Sequence, residues 1–194
     1  RGSPLDQAIA MLRHSHRFDA TSGIGQLAGA VNREAPGREK RAAIRDVLGH
    51  GYADLSHFTL QTDQDRRLER LVVSGHAAGF PDSGERRLLR SQPLAPPVGY
   101  RHYLEVMQAA APQVGADGEI ERAALDDWAR AVLDAHGQFQ LLCALRRGPW
   151  GVEGLNERIR VALEKEGLID TGDGRRSWYP GRPVLVTRND YGLG

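Results

Sequence analysis

Arginine is the residue type placed to do chemistry in this 194-residue chain. It outnumbers lysine heavily, and it gathers near the ends of segments that read as strands: Arg13 and Arg17, Arg146 and Arg147, Arg175 and Arg176, Arg182 and Arg188. A planar guanidinium presents paired N–H donors that match a phosphate. The competing explanation, a GC-rich genome that favours arginine, alanine and glycine codons, carries most weight for the middle of the chain. A second group is Asn156 with the turn Gly151 to Gly154, which lies beyond an expected strand end and at an expected helix N-terminus. Free amides there favour anions; Asn156 reads equally well as an ordinary polar helix residue. His14, His16 and Asp19 lack the i, i+4 spacing of a helical metal pair. Cys143 sits in an apolar run and reads as a buried, inert thiol suited to a reducing compartment. The sequence contains no G-x-x-x-x-G-K-[ST] phosphate loop; the SGIG at Ser22 lacks its lysine. No acidic pair stands out as a magnesium site.

These residues need elements to hold them. Residues 5–18 read as helix or short strand alike. Thr21 and Ser22 are N-cap types, and Ile24, Leu27, Ala28 and Val31 form one helical face behind them. A helix over 39–48, stopped by Gly49 and Gly51, follows. A short strand is expected at 57–60, and residues 68–73 read as helix or strand. SQPLAPPVG at 91–99 is a break. Tyr100, Tyr103, Leu104, Met107 and Ala111 then make a helical stripe, as do Ile120, Ala124, Trp128 and Val132, and both read as core packing. Phe139 to Leu145, nearly all apolar, reads as a strand buried on both faces. After the glycine turn, Leu155, Ile159, Ala162 and Leu163 face the core of a helix that Gly167 ends. Residues 170–182 read as a loop, and Pro183 opens a strand at Val184 to Thr187. Strand, helix and strand in that order predict a right-handed βαβ unit.

The length suits one α/β domain or a domain with an insertion. Formal net charge is +1, so composition alone does not announce nucleic acid. No apolar run approaches the roughly 18 residues of a spanning helix. No leader peptide is visible, and the lack of an initiator Met fits an excised or processed piece, with Arg-Gly-Ser read as a cloning remnant.

Three blocks carry a family resemblance: SHRFDATSGIGQLAGAVN near the start, FQLLCALRRGPWGVEGLNERI from Phe139, and WYPGRPVLVTRNDYGLG at the end. Their order and spacing resemble the second RecA-like motor domain of RecD-type superfamily 1 DNA helicases, the family of the exodeoxyribonuclease V alpha subunit. They cover about a third of the chain. The resemblance implies an α/β fold: a RecA-like, P-loop NTPase-type parallel sheet flanked by helices, with a helical insertion, present as a partial domain. Residues 1–37 would be the first part of motor domain 2 (the motif IV region). Residues 38–136 would be a mainly helical variable segment, and 137–194 the rest of that domain up to the start of motif V.

The resemblance also implies roles. SHRF is similar to helicase motif IV, whose arginine, here Arg17, reaches the γ-phosphate of the nucleotide across the cleft between motor domains. Phosphoryl transfer needs positive charge on the transferred group, which makes Arg17 the catalytic and nucleotide-binding candidate. The RNDYG segment is similar to the start of motif V, which touches single-stranded DNA. Arg188 and Asn189 follow an expected strand, where ligands of open sheets bind, and a cation with an amide holds a phosphate backbone without reading sequence. Asn156 and Gly151 are the further DNA-binding candidates. No metal ligands are assigned in this chain. ATP and Mg2+ are expected in a full-length protein, with neither held tightly by this piece. Expected partners are single-stranded DNA, the N-terminal motor domain of the same chain and the other exodeoxyribonuclease V subunits, in the cytoplasm.

Two departures limit that expectation. The family continues past Leu193-Gly194 with an N-G-D segment, a small barrel and motif VI, and the sequence has none of these. Without a phosphate loop, the piece alone is expected to lack ATPase. The rival reading is a non-enzymatic helicase-like module that docks a partner subunit or single-stranded nucleic acid. A standalone hydrolase built on His14, His16 and Asp19 has little support.

Overall fold

The computed structural model describes residues 19–62, 65–80, 87–89, 91–115, 118–172 and 178–185. They form helices α1 (Gly23–Asn32), α2 (Gly37–Gly49), α3 (Arg66–Ser74), α4 (Tyr100–Ala109), α5 (Arg122–Gly137) and α6 (Val152–Lys165), with two-residue strands β1 (Leu88–Leu89) and β2 (Gln92–Pro93). The chain divides into two units: Arg1–Thr59 with Ala77–Pro96, and Leu60–His76 with Pro97–Gly194.

In the first unit α1 packs on α2. Ser22 caps α1 as its sequence predicts, its hydroxyl accepting from the Gly25 amide at 3.0 Å. The buried face differs from the expected one. Gly23 and Ala30 point inward, whereas Ala28 and Val31 are exposed. The reason is the close seat of Gly23, where a Cβ would stand 2.6 Å from the Tyr52 Cβ and 2.7 Å from that of Leu55. That contact turns the helix by its first residue rather than by its branched side chains. Residues 57–60 form no strand, and β1 pairs antiparallel with β2, which falls inside the stretch 91–99 that reads as a break.

The second unit holds the large core. Leu68, Val72 and Val73 of α3 meet Tyr103 and Leu104 of α4, Ala135 of α5, and Leu155, Ala162 and Leu163 of α6. The ambiguous segment at 68–73 is thus helix: Asp65 caps it, and Gly75 closes it by returning its amide to Leu71 O at 2.9 Å. Tyr100, Tyr103, Leu104 and Met107 of the expected stripe belong to the core, whereas Ala111 lies beyond the end of α4 and is exposed. Of the expected stripe Ile120, Ala124, Trp128 and Val132, only the later half turns inward: Val132 packs on the core beside Ala135, while Ala124 on α5 and Ile120 before it are exposed. Trp128 is half-buried and donates its indole N–H to Met107 O at 2.9 Å. Beyond α6, Leu168 and Ile169 are also buried, just before the stretch 170–182 that reads as a loop.

The expected parallel sheet is not present among the described residues. Phe139 to Leu145 forms no strand; its one ladder contact is a lone parallel bridge between Leu145 and Gly151. Leu142 and Leu145 are 86% and 56% exposed, and Val184 and Leu185 are 64% and 85% exposed. An apolar run has strand propensity, yet a strand exists only where a neighbour accepts its hydrogen-bond ladder, and the described residues put none beside either segment. Residues 186–187 of the second expected strand, and the ambiguous 5–18, lie outside the described residues.

Candidate functional site

The site with the most convergent side chains is a cavity of about 450 Å³ in the second unit. It opens among α4, the end of α5, α6 and the loop 178–183, with Tyr100, Tyr103, His136, Asn156, Arg160 and Tyr179 in its walls. Helical spacing brings these together. Tyr100 and Tyr103 lie one turn apart on α4, and Asn156 and Arg160 lie one turn apart on α6. The loop is anchored by Gly181, whose left-handed φ of +87° lets the chain lie against Leu104 and Met107; an added Cβ would stand 2.9 Å from Leu104 Cδ2. The Tyr103 hydroxyl donates to Gly181 O at 3.0 Å.

The rings form an aromatic wall. Tyr100 stacks on His136 with centroids 6.0 Å apart, and Tyr103 meets His136 edge-on at 5.1 Å. Burial pushes the Tyr103 phenol well above its usual range, and it raises Tyr179 as well. Both phenols are therefore neutral donors at physiological pH.

Charge in the cavity is mostly balanced by α6 itself. Arg160 donates to Glu157 at 2.7 and 3.0 Å, to Glu164 at 2.9 Å and to Thr171 Oγ1 at 3.3 Å. The Arg160 hydrogen bond lowers the Glu157 carboxyl, and the same bond raises the guanidinium. Arg160 is thus a fixed post rather than a free cation. Asn156 is exposed on the cavity wall and offers an amide that can donate and accept. Aromatic faces, an amide and cations suit binding of a planar or anionic group.

Of the other candidates, Gly151 is the buried N-cap of α6. A Cβ there would stand 2.5 Å from Arg147 O, so the turn needs glycine for close backbone approach. The first helix amides are taken internally: Val152 N donates to Leu145 O at 3.0 Å and Glu153 N to Arg146 O at 3.3 Å. Arg158 of the same helix lies 5.6 Å from the Trp150 ring, with both terminal nitrogens buried and without a hydrogen-bond partner among the described residues. Cys143 is exposed, against the expected buried thiol, and its sulfur donates to Leu145 O at 3.4 Å. Arg17, Arg188 and Asn189 lie outside the described residues, as do His14 and His16. Among the described residues no group of three His, Cys, Asp or Glu side chains could hold a metal ion.

The SGIG segment has a definite structural use. The Asp54 carboxylate accepts from Gly23 N at 2.8 Å and from Ile24 N at 3.2 Å. A side-chain anion therefore already occupies the start of α1, where a phosphate would otherwise be drawn. The sequence carries no local signal for Asp54, which caps a helix some thirty positions earlier.

The cavity too was missed in the sequence. Its tyrosines read as a packing stripe, and what makes them a wall is the return of residues 178–183 over α4.

Comparison with known proteins adds an independent line. RecBCD enzyme subunit RecD of Mycobacterium tuberculosis is 50% identical over 189 residues, which is 97% of this chain and 24% of that protein. The subunit of the same name from Haemophilus influenzae is 24% identical over 98% of this chain and 25% of its own length. That of Mycolicibacterium smegmatis is 52% identical over 66 residues, 34% of this chain and 11% of that protein. No protein-family model matches the chain, and no solved structure does. The chain spans about a quarter of the length of the Mycobacterium tuberculosis and Haemophilus influenzae relatives. Over nearly its whole length, then, the chain is a homologue of a quarter-length stretch of RecBCD enzyme subunit RecD.

Proposed function

We propose that this chain is part of the second RecA-like motor domain of an ATP-driven 5′ to 3′ DNA helicase subunit. That subunit would act in double-strand-break repair and recombination within an exonuclease V complex. The observation that carries the reading is the 50% identity to RecD over 97% of the chain. The SHRF, GPWGVEGLN and RPVLVTRND blocks are the parts of the sequence that resemble the family's motifs. In this reading residues 1–37 and 137–194 are the motor domain and 38–136 its helical insertion. The apolar segments 139–145 and 184–187 become strands of a parallel sheet when a neighbouring strand takes up their open hydrogen bonds.

Arg17 is proposed to contact the γ-phosphate of ATP from across the interdomain cleft, sensing it and stabilising charge on the transferred group. Closure on Arg17 and reopening after hydrolysis is a two-state hinge. Arg188, Asn189, Asn156 and Gly151 are proposed to hold the single-stranded DNA backbone and to release and regrip it as the hinge moves. Mg2+ supplies charge neutralisation on the ATP phosphates. Its ligands are proposed to lie in other parts of the full-length protein, because no acidic pair in this sequence stands out as a magnesium site. The isolated chain is expected to have no ATPase. Partners are the N-terminal motor domain and the other subunits of the complex, in the cytoplasm; among the described residues no helix is long and apolar enough to cross a membrane.

The test is DNA-stimulated ATPase of the full-length protein carrying Arg17→Ala. Loss of a positioned transition-state cation is expected to cut turnover by about 10³-fold or more. Turnover equal to wild type overturns the role of Arg17.

A further inference from the structure

A second depression, of about 440 Å³, lies in the second unit between α3, α4 and α6, away from Asn156. Its charged lining is Arg66, Glu69, Arg70, Arg101, Lys165 and Glu166. Among the described residues, four cations against two carboxylates leave an excess of two positive charges, whereas the chain as a whole carries +1. The two carboxylates are already used: Glu166 holds Arg101 at 2.8 Å and Glu69 faces Lys165 at 3.7 Å. Arg66 and Arg70 are exposed, and among the described residues no hydrogen bond or ion pair engages either guanidinium.

Helix stability does not account for this pair. Arg66 is the first residue of α3, where the helix dipole disfavours a cation. Its neighbour Arg67 is neutralised by Asp65, but Arg66 is not. Arg70 stands one turn further along the same face, and like charges at that spacing destabilise an isolated helix. The excess charge is felt nearby: His76 is held below its usual range first by burial and then by Arg70 and Arg67.

We propose that this cleft is a phosphate-backbone contact for nucleic acid, with the free guanidinium forks of Arg66 and Arg70 on the phosphates and Arg101 and Lys165 flanking them. A protein partner would need an apolar centre to its interface. The lining supplies only Val73 and Ala162 of that kind, and Val73 is itself buried. Among the described residues no aromatic ring lines the cleft, so they offer no stacking platform and would grip backbone without reading bases. The site stands apart from the motor assignment, because it requires neither ATP nor Arg17.

The test uses the full-length protein and a fluorescent oligo-dT, with anisotropy read across a salt series. In the Arg66→Ala/Arg70→Ala variant, binding is expected to weaken roughly tenfold. The slope of log affinity against log salt should fall by about 1.4, two contacts at about 0.7 each for single strands. The Arg66→Lys/Arg70→Lys variant, which keeps the charge, should retain most of the slope. Both positions are exposed, so both variants should melt like wild type. Wild-type affinity and slope in the alanine variant would overturn the proposal. So would loss of labelled poly-glutamate binding with oligo-dT binding intact, which would give the cleft to an acidic protein.

Discussion

The two units are stabilised in different ways. The second contains a cluster of eleven buried core residues, supplied by four helices and by Leu168 and Ile169. In the first, Ala30 is the one buried hydrophobic residue among those described. What organises the first unit is polar. Asp54 and Ser22 together satisfy amides at the start of α1, Asp19 accepts from Thr21 N at 2.6 Å, and Ser56 donates to Gly79 O at 2.5 Å. Arg87 lies 4.5 Å from the Phe80 ring and donates to Ala53 O at 3.4 Å. Burial stabilises in proportion to area, whereas a single hydrogen bond adds only about 1 kcal/mol net. The second unit should therefore be the stability reservoir, and the first should depend on a few geometrically exact contacts.

The largest expected effect breaks the contrast at its strong end. Leu104 is fully buried against Gly181 and the α3–α6 core. Leu104→Ala should cost about 2–5 kcal/mol, read as a lower midpoint in denaturant with an unchanged slope. A cost below about 1 kcal/mol would mean that the core is looser than its burial implies. Next comes the polar unit. Asp54→Ala should cost about 0.5–2 kcal/mol and should speed hydrogen exchange at Gly23 and Ile24 while leaving the amides of α4 and α6 protected. Equal deprotection of both units would remove the distinction between them.

The smallest effect is a pH dependence in the second unit. The Glu157 carboxyl is held below its unfolded value by Arg160, so its contribution is present above the usual carboxylate pKa of about 4.3 and is lost as pH falls through the folded value. Its side chain is 62% exposed, so solvent screens most of the gain. Glu157→Gln should lower the melting temperature slightly at pH 7 and converge with wild type as pH falls through the depressed folded-state value. A difference that persists at low pH would assign the effect to packing rather than charge.

The helices were legible because their signals are local. Ser22 announces α1, the four- and three-residue spacing of Tyr100, Leu104 and Met107 announces α4, and Leu155, Ile159 and Leu163 announce α6. Residues 139–145 show the opposite case. Their composition reads as strand, but strand formation depends on partners distant in sequence, and the described residues leave Leu142 and Leu145 in solvent. The candidate site divides in the same way. Asn156 could be singled out from its place after a glycine turn. The tyrosines and His136 beside it could not, because nothing in their own neighbourhoods shows that a loop 178–183 would close over them.

What the sequence determined by itself is the helix pattern and the kinship to RecD, since both reside in residue types at fixed short spacings. Tertiary structure alone decided that the amides of SGIG are spent on Asp54, that Arg160 is clamped while Arg66 and Arg70 have no partner among the described residues, and that three tyrosines share one cavity. The physical reason is common to all of these. Whether a donor, a cation or an apolar face is available depends on which partner reaches it through space, and spacing along the chain does not encode that.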